Sequence, residues 1–339
     1  MRSAGRAVAV PHAGAVAAAP EQLPLLAGED ADALVRRARR RWDPIATYCL
    51  FSGGDDSTVL AHRCREHYET LVFIDTGIAL PGVEEFVRGY AAWLGKQLVV
   101  KRSGDAYRTL VLGDARWWER YRAEGAGLDL EEFRAQDKRR HGQFEGTVRS
   151  SGYRLGYYPW GFPGVGGHGK AYARLKERRL EELVAESKLG HPRTAKVLLL
   201  SGVRRAESRR RSRYQPLTER GSGKYVNPLI DWSSARMARY RGEQRLPRSD
   251  VAALLHRSGE CNCAARGNWW EERDLIKTFW PQWFAETIEA LEGEAQELGV
   301  RWCRWGGFDL EGNRAGEVSA DAPGPLCASC VGEQMALAA

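Results

Sequence analysis

Residues 52–57 read Ser-Gly-Gly-Asp-Asp-Ser, a combination of small, hydroxyl and carboxylate side chains that suits the binding of phosphate. Gly53 and Gly54 leave backbone N–H groups open to an anion, because no side chain stands in the way. Hydroxyl donors stand on both sides of the glycines. The predicted phosphate-binding residues are Ser52, Gly53, Gly54, Asp55, Ser57 and Thr58.

Asp56 needs a separate explanation, because a carboxylate repels phosphate. A Mg²⁺ ion between the two would remove the repulsion, and Mg²⁺ prefers oxygen ligands of this kind. We therefore assign Asp56 a metal role. A plain Gly-Gly-Asp-Asp turn is the alternative interpretation of the segment.

Five of the seven cysteines lie beyond residue 260, and four of these form two close pairs. Cys261 and Cys263 make a Cys-x-Cys, Cys327 and Cys330 make a Cys-x-x-Cys, and Cys303 lies between the pairs. Two such pairs can furnish four thiolates around one centre, and a Cys₄ set suits structural zinc as well as a [4Fe–4S] cluster. The one-residue spacing of the first pair is unusual for a zinc ribbon and favours [4Fe–4S]. Cys303 is an alternative ligand or a core thiol.

The phosphate-binding segment lies between a predicted strand and a predicted helix, in a region where strands and helices alternate. Amphipathic spacing predicts helices at 56–66 and 81–94. Short apolar runs predict buried strands at 45–51, 71–75, 97–101 and 196–201. This alternation indicates right-handed βαβ units and a parallel sheet. Ligands of such sheets bind beyond the carboxyl ends of the strands, often at a helix N-terminus, and the segment occupies that place.

The rest of the chain departs from this alternation. Residues 117–162 form a polar and aromatic insertion, to which we assign no fold. Residues 168–188 are predicted to form a long basic helix, and residues 225–232 are predicted to be extended. The remainder is predicted to be helical, with its cysteines in loops. The predicted divisions are a tail and basic helix at 1–43, a nucleotide-binding α/β domain at 44–245 with its insertion at about 115–165, and a cysteine-rich, metal-binding segment at 246–339.

Composition places the chain among ordinary globular proteins: it has 339 residues, of which 43% are hydrophobic and 28% charged. No apolar run approaches the length of a membrane span. Pro11 interrupts the alanine-rich start, which we interpret as a disordered tail and not a signal peptide, so a cytoplasmic protein is expected. Cysteines in such a protein indicate metal or redox chemistry, with Cys49 and Cys64 as core thiols. The net charge of +7, much of it in arginine runs at 36–41 and 204–213, suggests anionic partners.

Four segments together resemble a known enzyme group. Residues 52–57 match the SGGxDS signature of the PP-loop ATP pyrophosphatases. Phe-Ile-Asp-Thr-Gly at 73–77, Ser-Gly-Val-Arg-Arg-Ala-Glu-Ser-Arg at 201–209 and Asn-Pro-Leu-Ile-Asp-Trp at 227–232 resemble the phosphoadenosine-phosphosulfate (PAPS) reductase branch of that superfamily. The resemblance implies a doubly wound, mostly parallel α/β sheet of the adenine nucleotide alpha hydrolase-like kind, followed by a helical, cysteine-bearing C-terminal segment.

The resemblance also implies roles for residues outside the phosphate-binding segment. It places the adenosine near the strand end that carries Asp75, Thr76 and Gly77. It implies that Arg204, Arg205 and Arg209 reach the phosphate or sulfate end of the nucleotide, in keeping with the bidentate pairing of guanidinium groups with oxyanions. Glu207 would orient these arginines.

The long basic helix adds His168, Lys170 and Lys176 as further candidates, although the two lysines are equally well explained as surface charges. The predicted catalytic residues are Asp56, Arg204, Arg205, Arg209 and Lys176.

Two departures from the reductase pattern favour an ATP-using relative. The chain ends in Met-Ala-Leu-Ala-Ala and lacks the C-terminal Glu-Cys-Gly-type motif that carries the reductase nucleophile, for which Glu260-Cys261 is the nearest local match. Many such reductases also have a degenerate phosphate loop, whereas here the Gly-Gly and Asp-Ser pairs are intact. Iron–sulfur clusters occur in relatives of this superfamily that handle sulfur.

The leading hypothesis is therefore an enzyme that binds ATP and Mg²⁺, cleaves ATP at the α-phosphate and adenylates an acceptor. Sulfur then displaces the adenylated group of the acceptor. The acceptor, nucleic acid or small molecule, and the sulfur donor are not identified by the sequence. The first alternative is reductive release of sulfite from adenylyl sulfate or PAPS, with Cys303 or Cys261 as nucleophile. The second is a non-catalytic nucleic-acid-binding protein that uses the basic runs, a structural zinc and the aromatic residues Trp117, Trp118, Trp269 and Trp270.

Overall fold

The computed structural model describes residues 30–141, 156–164, 167–207, 211–220, 223–265 and 269–315. Within these ranges, no helix has both the length and the apolar character that a membrane span requires.

A six-stranded sheet with the order β3-β2-β1-β4-β6-β5 forms the centre of the molecule. All neighbouring strands are parallel except β5 and β6, which are antiparallel. The register places Tyr48 of β1 between Thr70 of β2 and Leu199 of β4. The strands are β1 (Ala46–Leu50), β2 (Thr70–Asp75), β3 (Gln97–Arg102), β4 (Val197–Leu200), β5 (Leu217–Arg220) and β6 (Gly223–Val226). The chain order of the strands reverses between β1 and β4, which makes this pair the topological switch point of the sheet.

Both faces of the sheet are covered, because successive side chains of a strand point to opposite sides. Cys49 and Phe51 belong to the larger core cluster on one face, whereas Leu50 packs with Leu180 and Val184 on the other. The sheet is therefore doubly wound and mostly parallel, as predicted.

Thirteen α-helices surround the sheet in the described residues. They are α1 (Ala31–Trp42), α2 (Asp55–Arg63), α3 (Val83–Trp93), α4 (Ala106–Leu112), α5 (Ala115–Glu124), α6 (Leu130–His141), α7 (His168–Tyr172), α8 (Arg178–Ser187), α9 (Ser234–Glu243), α10 (Asp250–Leu255), α11 (Trp269–Phe279), α12 (Pro281–Phe284) and α13 (Ala290–Glu297). A π-helical turn at Ala173–Glu177 joins α7 and α8 into the long basic helix predicted from the sequence.

The insertion packs an aromatic core of its own. Trp117 of α5 is buried against Phe133 of α6 and Tyr158, and its ring stacks on Tyr121. A buried ion pair between Arg120 and Asp137 ties α5 to α6 at 2.7 Å.

The segment after residue 245 packs on the sheet's own core. Phe284, Ile288 and Trp305 belong to the same cluster as Leu34 of α1 and Phe73 of β2. The division of the chain at residues 43 and 245 stays a prediction.

One predicted element is wrong. Residues 225–232 were expected to be extended, but only 225 and 226 belong to a strand, and the chain then turns. The turns are closed by bonds from the Ile230 N–H to the Asn227 carbonyl and from the Trp232 N–H to the Leu229 carbonyl. Proline favours turns and cannot donate to a sheet ladder, so Pro228 ends the strand pairing here.

Candidate functional site

A cavity of about 580 Å³ opens at the carboxyl ends of β1 and β4, which is the switch point of the sheet. The loop after β1 and the loop after β4 both contribute to its lining, together with α9 and residues 256–260. Ligands of open α/β sheets bind in this position, so the cavity is the candidate functional site.

Hydrogen bonds within the predicted phosphate loop hold its shape. The hydroxyls of Ser57 and Thr58 both donate to the Gly54 carbonyl, at 2.9 and 2.8 Å. Gly53 has a φ of +79°, a conformation that glycine adopts without strain. Because α2 begins at Asp55, the N–H groups of its first turn have no carbonyl partner within the helix. The cavity is lined by Ser52, Gly54, Asp55, Asp56 and Ser57 of the predicted set, and Thr58 is buried beneath it.

Asp56 lies against the loop that follows β4. Its carboxylate is 3.0 Å from Nη2 of Arg204, whose Nη1 donates to the Trp232 carbonyl at 3.1 Å. Gly202 packs directly against this segment, since a Cβ there would be in ordinary van der Waals contact, 3.5 Å from the backbone of Asp56 and Ser57. The structure therefore brings together the predicted metal residue and one predicted arginine.

Two groups in this loop have unused hydrogen-bonding capacity. Ser201 is fully buried, and its hydroxyl has no hydrogen-bond partner among the described residues; the same holds for Nε of Arg204. Both residues line the cavity. Buried polar atoms are rarely left unpaired, so these atoms indicate the place of a polar ligand.

The other predicted arginines are arranged differently. Arg205 does not belong to the described lining of the cavity. Its Nε donates to the Tyr214 carbonyl at 3.0 Å, and its guanidinium group pairs with Asp231. Arg209 lies outside the described residues. Glu207 pairs with Arg211, which also lines the cavity.

Lys176 is buried, so its interpretation as a surface charge is wrong. It lies on the π-helical turn and pairs with Glu260, and the side chains of the two residues are only 4% and 8% exposed. Glu260 also accepts a hydrogen bond from Ser258, and both line the cavity. In contrast, exposed Lys170 and buried His168 of the same helix are outside the described lining.

Residues 256–262 form a roof over the phosphate loop. A Cβ on Gly54 would lie 3.0 Å from Cβ of Ser258, so the two segments are in direct contact. Leu80 N–H donates to the Gly259 carbonyl at 3.0 Å, and the Asn262 amide donates to the Ile78 carbonyl at 2.7 Å. This roof is therefore fixed to the loop that follows β2.

Asp75, Thr76 and Gly77 lie outside the described lining of the cavity. Asp75 pairs with Arg102, and the buried Thr76 hydroxyl donates to the Glu260 carbonyl. Asp75 and Gly77 instead line a second, smaller cavity. Their predicted contact with the nucleotide stays a prediction, whereas Thr76 has a visible role in anchoring the roof.

Sequence reasoning missed three cavity arginines. Arg241 of α9 and Arg248 pair with the carboxylate of Asp55, at 2.8 Å for Arg241 and at 3.0 and 2.9 Å for the Nε and Nη2 of Arg248. The signal was the arginine-rich stretch at 236–248, but the sequence does not show which of its arginines face inward. Another missed residue is Arg257, which lines the cavity and pairs with Glu272 at 3.2 Å.

One end of the cavity is apolar. Leu50 at the end of β1, with Val72 and Ile74 of the neighbouring β2, lines it on the side of the sheet that α8 covers. The charged residues of α2, α9 and the roof line the remainder. The cavity thus has an apolar end suited to an aromatic base and a charged end suited to phosphates.

Half of the predicted cysteine set lies in the described residues. Cys261 lies in the roof, Cys263 directly follows it, and both are buried. Cys327 and Cys330 lie outside the described ranges. Among the described residues there is no group of three or more His, Cys, Asp or Glu side chains that could hold a metal ion. The predicted four-thiolate site stays a prediction.

The thiols proposed as nucleophiles are poorly placed for attack on a cavity ligand. Cys303 and Cys261 are buried and outside the described lining. Burial raises the pKa of Cys303, which disfavours the reactive thiolate. Cys49 and Cys64 are core thiols as predicted, and burial raises the pKa of Cys64 to about 12.

The aromatic residues of the insertion pack largely on one another. Trp117 is fully buried in the aromatic core, so its predicted role in the nucleic-acid alternative is wrong, whereas Trp118 is half-buried against this core and its role stays a prediction. The side chains of Trp269 and Trp270 lie outside the described set. The basic run at 36–41 is exposed on the outer face of α1.

Several solved structures resemble this chain at low sequence identity. A PAPS reductase from Candida auris in a phosphate complex is 18% identical, with 71% of this chain and 95% of that chain covered and a TM-score of 0.39. An NH3-dependent NAD synthetase from Campylobacter jejuni is 11% identical, with 81% and 93% covered and a TM-score of 0.33. The U34-tRNA thiolase NcsA from Methanococcus maripaludis with its [4Fe–4S] cluster is 11% identical, with 80% of both chains covered and a TM-score of 0.31. No protein-family model matches the chain, and no curated protein sequence is significantly similar to it.

Proposed function

We propose that this chain is a cytoplasmic PP-loop enzyme of the PAPS reductase-like group, which binds ATP with Mg²⁺ and transfers its adenylyl group to an acceptor in sulfur-transfer chemistry. The observation that supports this proposal is the position of the phosphate loop. It lies at the switch point of the sheet and opens into a cavity whose described lining holds six Lys and Arg side chains and four Asp and Glu side chains. Such a lining suits a polyanion with an aromatic base.

The polarity of the cavity supports one orientation of the proposed nucleotide. The adenine takes the apolar end at Leu50, Val72 and Ile74, because an aromatic ring gains most from leaving water there. The phosphates lie across the loop at the N-terminus of α2, where the N–H groups of the first turn and the helix dipole favour negative charge.

Asp56 is suited to hold Mg²⁺. Its carboxylate lines the cavity and is 25% exposed, so an ion can reach it from the phosphate side. Mg²⁺ is commonly bound by one or two carboxylates together with substrate phosphates, so a single carboxylate at this point suffices. The ion would neutralise charge on the phosphates when bound.

Arg204 and Lys176 line the cavity near the proposed reacting phosphate, each paired with a carboxylate. In the proposed reaction an acceptor oxygen attacks the α-phosphorus, the bond to the bridging oxygen breaks, and pyrophosphate leaves. Arg204 has an unused Nε–H at the cavity and stabilises the charge that develops on the leaving group. A sulfur nucleophile then displaces AMP from the adenylated acceptor.

The cysteine pairs Cys261–Cys263 and Cys327–Cys330 would hold a [4Fe–4S] cluster, with zinc as the alternative occupant. The two described thiols lie one and three residues after Glu260 in sequence, so the site adjoins the roof of the cavity. A centre in this place would hold the roof segment or bind sulfur near the adenylated acceptor.

The test is to follow labelled ATP with candidate nucleic-acid and small-molecule acceptors and to measure the release of pyrophosphate. We expect Asp56→Asn to lower the rate at least tenfold, because it removes the proposed ion ligand, whereas the exposed control Asp274→Asn leaves it unchanged. Consumption of adenylyl sulfate without pyrophosphate release from ATP would show instead that the chain is a sulfonucleotide reductase.

A further inference from the structure

The positive charge of the cavity is concentrated at one point. In the described lining, Arg204 pairs with Asp56, Arg211 with Glu207 and Lys176 with Glu260. Arg257 pairs with Glu272. Each of these pairs is neutral. Arg241 and Arg248, however, share the single carboxylate of Asp55, so this group of three carries a net charge of +1. We call it the arginine clasp.

The arginine clasp lies at the charged end of the cavity, nearer to solvent than Arg204. The side chains of Arg241 and Arg248 are 23% and 34% exposed, compared with 8% for Arg204. Asp55 is the first residue of α2, so the clasp stands directly beside the N-terminus that receives the phosphates. The wall next to it is the α9 face that carries Ser234, Met237 and Ala238, which adds no charge.

We propose that the arginine clasp binds the terminal phosphate of the nucleotide and so selects a triphosphate over a monophosphate. This inference rests on the proposed function. With the base at the apolar end and the first phosphates at α2, the next anionic group along the ligand reaches Asp55 and its two arginines. A terminal phosphate carries close to two negative charges at neutral pH, and the N–H groups of the two guanidinium groups that Asp55 does not engage can donate to its oxygens.

Asp55 acts as an internal anion in this arrangement. It accepts a fork of hydrogen bonds from Nε and Nη2 of Arg248, and Nη2 also donates to the Ala252 carbonyl, so Nη1 is the group that remains for a phosphate oxygen. The arginines are therefore oriented before the nucleotide arrives, and less side-chain freedom is lost on binding. Asp55 is thus a positioning residue.

The test compares the dissociation constants of AMP, ADP and ATP, each with Mg²⁺, by calorimetry for the full chain and its variants. We expect Arg241→Gln and Arg248→Gln each to weaken the binding of ATP about ten- to one-hundredfold, because charged hydrogen bonds to the ligand are lost. The dissociation constant of AMP should change by less than about threefold. Arg248→Lys should give an intermediate loss, because it keeps the charge but not the fork. Arg239→Gln, an exposed arginine on the same helix, is the matched control.

The outcomes separate this inference from the proposed function. An equal loss of affinity for AMP, ADP and ATP would show that the arginines only hold α9 in place. Unchanged ATP binding would show that they do not reach the ligand. Either result overturns the assignment of the terminal phosphate to the arginine clasp, but not the proposed function. Failure of the wild-type chain to bind any of the three nucleotides would overturn the proposed function and this inference with it. Thermal unfolding of each variant checks that the comparison is made on folded protein.

Discussion

At the scale of single residues, the ion pair between Lys176 and Glu260 is the least solvated charge pair of the cavity, with side chains 4% and 8% exposed. Taking two charges out of water is costly, and each partner compensates the other. The pair joins the long basic helix to the roof loop. Its role in stability can therefore be measured apart from any role in catalysis.

Lys176→Met should lower the free energy of unfolding by about 3–5 kcal/mol, because it leaves the Glu260 carboxylate buried without its partner. The double variant Lys176→Met with Glu260→Gln should recover part of this loss. Lys277→Met is the matched control, since Lys277 pairs with Glu289 at 2.6 Å on the surface, and it should cost less than about 1 kcal/mol. Urea unfolding measures all three. Equal losses of unfolding free energy for Lys176→Met and Lys277→Met would contradict the assignment of a larger stabilising role to the buried pair.

His62 gives the molecule a pH-dependent contact. Its Nδ1 is 2.9 Å from the hydroxyl of Tyr240 in α9, and its ring stacks on Trp93 at 5.8 Å between centroids. Burial, and to a smaller extent Arg65, lowers the pKa of His62 below its ordinary value of 6.5. The unfolded chain therefore takes up a proton at a higher pH than the folded chain does. The stability that the neutral ring provides is present above pH 6.5 and is lost as the pH falls toward the lowered pKa.

We expect the free energy of unfolding to fall between pH 7.5 and pH 5.5, and to fall less in His62→Gln than in the wild type. Denaturant unfolding at the two pH values gives both differences. His191→Gln, which replaces an exposed histidine, should behave like the wild type. A His62 variant with the wild-type pH dependence would show that this ring does not titrate differently in the folded state.

At the scale of elements, the roof segment and the phosphate loop depend on each other through Gly54. A Cβ at this position would meet Cβ of Ser258 at 3.0 Å and its backbone at 3.3 Å, so a methyl group must push the two segments apart. The predicted phosphate loop is thus in contact with residues far away in sequence, which fix its shape.

Gly54→Ala should weaken ATP binding at least tenfold, because the phosphate loop and the roof separate. Gly54→Ala with Ser258→Gly should recover part of the affinity, since the second change removes the nearest atom. Gly89→Ala is the control: Gly89 is an exposed residue of α3 with no atom within 4 Å of the added Cβ, and the change should add up to about 1 kcal/mol of stability. No recovery in the double variant, measured by calorimetry, would point to a cause other than this contact.

Elements and local contacts differ in how far the sequence reveals them. The four predicted parallel strands follow from apolar runs, and the position of the phosphate loop follows from its place after the first of them. By contrast, Arg241 and Arg248 went unnoticed, because α9 and its surroundings are rich in arginine and only packing selects the two that turn inward. The pairing of Lys176 with Glu260 spans 84 residues, and no local pattern encodes such a contact.

At the scale of the whole molecule, one core cluster includes residues from α1 at the start of the described chain to Trp305 near its end. The C-terminal helices therefore stabilise the same body that carries the candidate site. Cys261 belongs to the roof and Cys263 directly follows it, so a metal centre that includes both would be coupled to the shape of the cavity.

Protein purified without oxygen should show a broad absorbance band in the blue region, with about four iron and four sulfide per chain if the centre is [4Fe–4S]. Cys261→Ser and Cys263→Ser should each abolish or strongly reduce the band and the iron, whereas the core-thiol control Cys64→Ala should retain both. Zinc in place of iron would exclude the cluster but keep the four-thiolate site, and absence of both metals would contradict that site.

The roof has a consequence for the order in which the protein is made. Thr76 is anchored by the carbonyl of Glu260, a residue 184 positions later in the chain. The whole sheet, including the phosphate loop, has been synthesised before residues 256–262 exist, and contacts this distant in sequence form late. Nascent chains that stop short of residue 256 therefore present an open cavity, and the complete pocket forms only once residues 256–262 have been synthesised.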